Sequence, residues 1–168
     1  MVRRLALGLT CATGFSGLVY EVAWQKYLAT LLGSHSEATA AVLALFLGGL
    51  SIGYSLFGRL TRRLGERAAP GRPARLLAVY GGIEAAIGLW ALAFPWLFEA
   101  ARAVSPHLPG NQGGLGFAFD VALSALLVGP PAVLMGATIP FLTQALARDL
   151  EDATRIHALV YGWNTAGA

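Results

Sequence analysis

The chain has 168 residues, 56% of them hydrophobic and only 12% charged, with a mean hydropathy of +0.61. Soluble domains carry about 25% charged residues, so this composition excludes an ordinary water-soluble domain and predicts an integral membrane protein. The net charge of +3 comes from arginines gathered mainly in one segment, a pattern that points to membrane topology and away from nucleic acid as a partner.

The first apolar run covers residues 5–32. It follows Arg3 and Arg4 but is too long for a signal-peptide core of about 7–15 residues, and no small-residue cleavage site ends it. At 1.5 Å per residue it measures roughly 40 Å against a bilayer core of about 30 Å, so it tilts or protrudes, with Lys26 near the interface. Cys11 lies inside this run; a lone cysteine forms no internal disulfide and no metal-ligand spacing accompanies it. Glu21 also lies inside it, and an ionisable group at membrane depth is costly unless it faces protein, water or a partner. Glu21, Trp24 and Gln25 have i, i+3, i+4 spacing and share a helix face. With Tyr20 they offer a carboxylate, aromatic rings and an amide, the groups that suit an ammonium ligand; aromatic packing is the competing explanation.

Gly33, Ser34 and His35 read as a short turn, with Ser36 as the cap of the next helix and Glu37 in its first turn. The second span covers residues 38–60. Gly49 and Gly53 have GxxxG spacing, which suits either tight packing within the chain or a dimerisation face. Residues 59–75 form a basic loop with Arg59, Arg62, Arg63, Arg67, Arg72 and Arg75, broken by Pro70, Gly71 and Pro73, and with Glu66 as its only acid. Beside two membrane spans it reads as a cytoplasmic loop.

The third span covers residues 76–98 and contains a second acid, Glu84. Trp90, Pro95 and Trp96 mark its far end as an interfacial belt. Residues 99–116 are dense in turn formers and read as a loop. The fourth span, residues 117–146, holds Pro130, Pro131 and Pro140. Each proline removes a helix hydrogen bond, and Thr138 and Thr143 are the candidates to satisfy the carbonyls left free. Residues 148–155 read as a polar turn. A fifth apolar stretch, residues 156–168, is too short to cross a bilayer, so the chain is expected to be part of a longer protein. Asn164 lies within that stretch, placed to meet Glu21 or another helix.

The expected fold is therefore all-α: a polytopic membrane helix bundle with four full transmembrane helices and the start of a fifth. With the N-terminus in the cytoplasm, ten of the twelve basic residues fall on that side and at most Arg102 and Lys26 on the other, as the positive-inside rule requires. His35, His107 and His157 are scattered, so no metal site is expected, and no catalytic grouping is present.

Three strings carry a resemblance. GFSGLVYEVAWQKYLATLLGS (residues 14–34), PPAVLMGATIPFLTQAL (130–146) and YGWNTAGA (161–168) occur in order along the chain. They resemble the membrane region of a bacterial family in which a major-facilitator-like helix bundle is fused to a spermidine-synthase-like (polyamine aminopropyltransferase) domain. The resemblance implies part of a major-facilitator N-terminal half in the bacterial inner membrane. It also implies a C-terminal enzyme domain beyond this chain and a polyamine or other cationic small molecule as partner. Residues 58–65, GRLTRRLG, resemble the loop after the second span of major-facilitator transporters, but lack the Asp usual there. The aminopropyltransferase domain and its Gly-rich loop are absent, so no catalytic residue and no cofactor is assigned to this chain. Three readings stay open: a membrane domain that anchors and supplies or exports polyamine for such an enzyme, half of a secondary transporter of small cations, or a structural anchor. In the first two, Glu21, Tyr20, Trp24, Gln25, Glu84 and Asn164 are the candidate ligand-binding residues.

Overall fold

The structure, a computed structural model, describes residues 2–33, 35–65, 72–107 and 114–168. Ser34, Glu66, Arg67, Pro70, Gly71, Pro109, Gly110, Asn111 and Gly113 lie outside the described residues, as do the side chains of His35, Glu37, Arg62, Arg63 and Arg72. Five helices follow in order: α1 (Val2–Leu32), α2 (His35–Gly65), α3 (Arg72–Val104), α4 (Gly114–Leu146) and α5 (Leu150–Gly167). A 3-10 turn, Ser105–His107, extends α3. Four segments are long and apolar enough to cross a membrane: Arg3–Leu32, Ala38–Thr61, Pro73–His107 and Leu115–Leu146.

The helices overrun the boundaries expected from the sequence, and each overrun has a local cause. α1 stops where Gly33 takes a φ of +73°, the left-handed conformation that closes helices and that glycine adopts without strain. Ser36 lies inside α2 and does not cap it, because the helix already includes His35. α2 continues to Gly65 through the first arginines of the expected loop, since arginine is a good helix former and no proline intervenes before Pro70. α3 runs to Val104 through the start of the expected loop 99–116. There Glu99 and Arg102 pair at 2.8 Å across one turn among alanines, which favours helix. α5 begins at Leu150, six residues before the expected start, with the Asp149 carboxylate accepting from the Asp152 amide at 2.8 Å. This is a side-chain cap of the ordinary kind.

The helices alternate in direction. One buried cluster joins Trp24, Leu28 and Leu32 of α1 to Ala38 and Phe46 of α2, Phe94 and Phe98 of α3, and Leu127 and Val128 of α4. A second joins Ala6 of α1, Leu76 and Ile83 of α3, Phe141 and Leu142 of α4, and Ile156 and Val160 of α5. The first therefore fills one end of the bundle and the second the other. α4 is the central element, touching all four others, most extensively α2 and α3. Outward faces carry Leu89, Leu92, Leu115, Leu126 and Trp96, all more than 60% exposed. Apolar outer faces are compatible with a lipid bilayer, whose tails need no polar surface.

Close backbone approach fixes two of the helix pairs. A Cβ added at Gly49 would lie 2.5 Å from the Ala132 Cβ, and one at Gly53 would collide with the Val133 carbonyl oxygen. One at Gly136 would strike the Leu50 carbonyl from the other side. The GxxxG face of α2 is thus spent on α4 within the chain and is not open to a second copy. Gly14 lets α1 meet α5 in the same way, its hypothetical Cβ falling on the Asn164 carbonyl.

The proline-broken helix is repaired by a residue that the sequence did not nominate. Pro131 leaves the Leu127 carbonyl without its helical donor, and the Trp90 indole Nε1 donates to that oxygen at 2.9 Å. Thr138 instead donates to the Met135 carbonyl at 2.8 Å, and the Thr143 hydroxyl lies 3.4 Å from His157 Nδ1. Trp90 therefore points into the bundle, while Trp96, 74% exposed, faces outward.

Candidate functional site

Between the two buried clusters, at mid-depth of the spans, lies a cavity of about 510 Å³. Every helix contributes to it. α1 supplies Thr13, Ser16, Gly17, Tyr20 and Glu21; α2 supplies Phe46, Ser51 and Tyr54; α3 supplies Glu84 and Gly88; α4 supplies Met135 and Thr138; α5 supplies Tyr161, Asn164 and Thr165. Among the described residues the lining contains Glu21 and Glu84 and no lysine, arginine or histidine. Tyr20, Phe46, Tyr54 and Tyr161 give it aromatic walls.

Of the six residues singled out from the sequence, four meet here: Glu21, Tyr20, Glu84 and Asn164. Glu21 of α1 and Glu84 of α3 thus reach one cavity. Trp24 and Gln25 do not line it. Trp24 is 2% exposed and packs in the core, stacked on Phe94 at a centroid distance of 5.6 Å and edge-on to Phe46 at 6.2 Å. Tyr20 stacks on Trp24 at 5.7 Å and so holds its ring between the core and the cavity. Gln25 donates from its amide to the Thr39 hydroxyl of α2. The shared face of Glu21, Trp24 and Gln25 therefore splits between three surroundings, because it curves past the cavity, the core and α2. Asn164 donates to the Thr10 carbonyl of α1 at 3.3 Å, so it joins α5 to α1 as well as lining the cavity.

Sequence reasoning missed Thr13, Ser16, Tyr54, Thr138, Tyr161 and Thr165. On α1 a signal was present. Thr13, Ser16, Gly17, Tyr20 and Glu21 recur at helical spacing, a small and polar stripe on an otherwise apolar helix. Tyr80 was missed too. It sits one turn before Glu84, and its hydroxyl lies close to Glu84, Thr10 and Thr13. None of these neighbours, nor any other described residue, meets hydrogen-bond geometry with the Tyr80 hydroxyl or with Glu84 Oε1. A buried polar atom without a partner is costly, and Glu84, unlike Tyr80, lines a space large enough for a ligand or water to supply one.

The size and walls suit a small organic molecule. Ligand pockets are about 300–1,000 Å³ and mostly apolar, with a few polar groups that fix orientation. The described lining of this cavity has acids and aromatic faces and no base, and such groups attract cations. Among the described residues no group of acids, histidines and cysteines could hold a metal ion.

The fold defines the class: an all-α bundle of five helices, four of them long and apolar enough to cross a membrane, around a cavity at mid-depth. Comparison with protein-family models, curated proteins and solved structures finds no match to this chain.

Proposed function

We propose that this chain is a membrane-spanning domain that holds a small organic amine, with Glu21 and Glu84 as counter-ions to its ammonium groups. One observation carries the reading: two acids 63 positions apart in sequence, on α1 and α3, line the same cavity, with no basic residue among its described lining. Carboxyls at membrane depth are costly, and a bound cation offsets that cost. Tyr20, Tyr54 and Tyr161 present rings to the same cation, and Asn164 and the hydroxyls of Thr13 and Ser16 accept hydrogen bonds from its N–H groups.

The resemblance of residues 14–34, 130–146 and 161–168 favours a polyamine as the amine. The domain then lies in the bacterial inner membrane with its N-terminus in the cytoplasm. It anchors an aminopropyltransferase domain encoded elsewhere in the full protein and supplies or exports that enzyme's substrate or product. A second reading, half of a secondary transporter of small cations resembling part of a major-facilitator half, is favoured by the position of the cavity. Transporter sites lie near the bilayer midplane, and α4, which lines the cavity, carries Pro130, Pro131 and Pro140 within one continuous helix.

Thermal unfolding of the detergent-purified chain tests the amine site. Spermidine or putrescine raises the melting temperature saturably at constant ionic strength, and Glu21→Gln or Glu84→Gln removes the rise. Equal melting temperatures with and without amine in the unaltered chain leave a structural anchor as the function.

A further inference from the structure

A second pocket, about 350 Å³, lies between α2, α4 and α5 at the arginine-rich end of the bundle, and its chemistry is the reverse of the first. Arg59 and His157 line it, with Tyr54, Ser55, Thr61 and Thr143; the Thr61 hydroxyl donates to the Gly58 carbonyl of its own helix at 3.1 Å. No carboxylate lines it among the described residues. Tyr54 and Thr143 converge on the one imidazole: the Tyr54 hydroxyl lies 3.5 Å from His157 Nε2 and the Thr143 hydroxyl 3.4 Å from Nδ1. His157 thus has a hydroxyl beside each ring nitrogen, and Arg59 is exposed. Tyr54 is also the one residue that lines both pockets. A basic, donor-rich pocket repels the amine that the acid-lined cavity suits, so it is not that cavity's entrance.

Its depth narrows the ligand. Arg59 and Thr61 close the span Ala38–Thr61, and Thr143 lies one turn before the end of Leu115–Leu146. The pocket therefore sits at the end of the hydrocarbon-spanning segments, where headgroup phosphates lie in a bilayer. A guanidinium with hydroxyl donors around it matches the several acceptor oxygens of a phosphate group. We propose that this pocket binds a phosphate-bearing anion, held by Arg59 together with the Thr143 hydroxyl, which His157 positions. The anion comes either from a lipid headgroup or from free phosphate in the cytoplasm. The inference stands apart from the amine reading, since it uses neither Glu21 nor Glu84.

The test uses the full chain and two probes. Delipidated protein in a neutral detergent is titrated with inorganic phosphate at constant ionic strength, by calorimetry. In parallel, lipid retained from vesicles of phosphatidylcholine with phosphatidylglycerol is identified by mass spectrometry. Saturable phosphate binding identifies a free-anion site, and stoichiometric retention of phosphatidylglycerol identifies a headgroup site; either supports the proposal. Arg59→Gln weakens whichever binding is observed by about tenfold or more, Thr143→Val weakens it less, and Arg102→Gln at the opposite end leaves it unchanged. Helical content by circular dichroism confirms that Arg59→Gln is folded. The proposal is overturned if neither probe binds, or if Arg59→Gln binds as the unaltered chain does.

Discussion

A proline at position 131 takes one hydrogen bond from α4, and the indole of Trp90 replaces it from a different helix. The consequence is specific. Trp90→Phe keeps most of the ring's packing and deletes the donor, leaving the Leu127 carbonyl unpaired, at a cost of about 1–3 kcal/mol. Reversible unfolding in mixed micelles measures it. Pro131→Ala should lessen the effect of the tryptophan change, because the alanine amide restores the donor within α4; equal losses in both backgrounds would contradict the repair. At this scale the sequence disclosed charges better than contacts. Glu21 and Glu84 stood out because acids are rare in apolar runs. Trp24 and Trp90 did not declare their surroundings, since an indole suits a core, a cavity wall or an interface equally well.

Between helices, the determining contacts are made by residues without side chains. Gly53 and Gly136 let the α2 and α4 backbones touch, so Gly53→Leu forces the pair apart. Overpacking of this kind costs about 1–3 kcal/mol or more, read as a lower melting temperature with no change in oligomeric state. A change from dimer to monomer in that variant would instead return the GxxxG face to an intermolecular role. At the start of α5, Asp149 caps the helix, and Asp149→Ala should cost about 1 kcal/mol. Burial raises the neighbouring Asp152 carboxyl, but this is outweighed by the hydrogen bonds from Arg155 and the Arg148 amide and by the Arg155 and Arg3 charges, which hold it below the ordinary carboxylate range. A carboxyl depressed on folding contributes stability that is present above its unfolded value, about 3.9, and is lost as the pH falls through its folded value. Acidification below about pH 4 should therefore loosen the first turn of α5, as followed by amide exchange there, and Asp152→Asn should flatten that response. Helix ends were the least legible feature at this scale. The hydropathy of residues 5–32, 38–60, 76–98 and 117–146 found the four spans, but it says nothing about polar turns such as 99–104 or 59–65, which stay helical through propensity and ion pairing.

For the molecule as a whole, the alternating helices put both ends of the charge distribution in definite places. Arg59, Arg75 and Arg155 lie at the end filled by the second buried cluster, and Lys26 and Arg102 lie toward the other. The orientation proposed above, from the positive-inside rule, puts the first end in the cytoplasm. In a Cys11→Ala background, Arg102→Cys should react with a membrane-impermeant maleimide added to spheroplasts, and Arg75→Cys only after lysis. The reverse pattern would invert the topology. That all five segments are helical and that they pack as a bundle was legible, because apolar runs of this length have no alternative in lipid. That Glu21 and Glu84 line one cavity was not. It depends on how α1 and α3 are rotated and staggered, and that is decided by small residues and ring stacking at contacts far apart in sequence.

The central claim is that two acids facing one cavity hold an organic cation, and direct binding tests it most closely. Equilibrium dialysis of radiolabelled spermidine against the purified chain should give saturable binding that is weakened by either Glu21→Gln or Glu84→Gln and abolished when both are changed. Binding that survives the double change, or that is absent from the unaltered chain, would contradict the account.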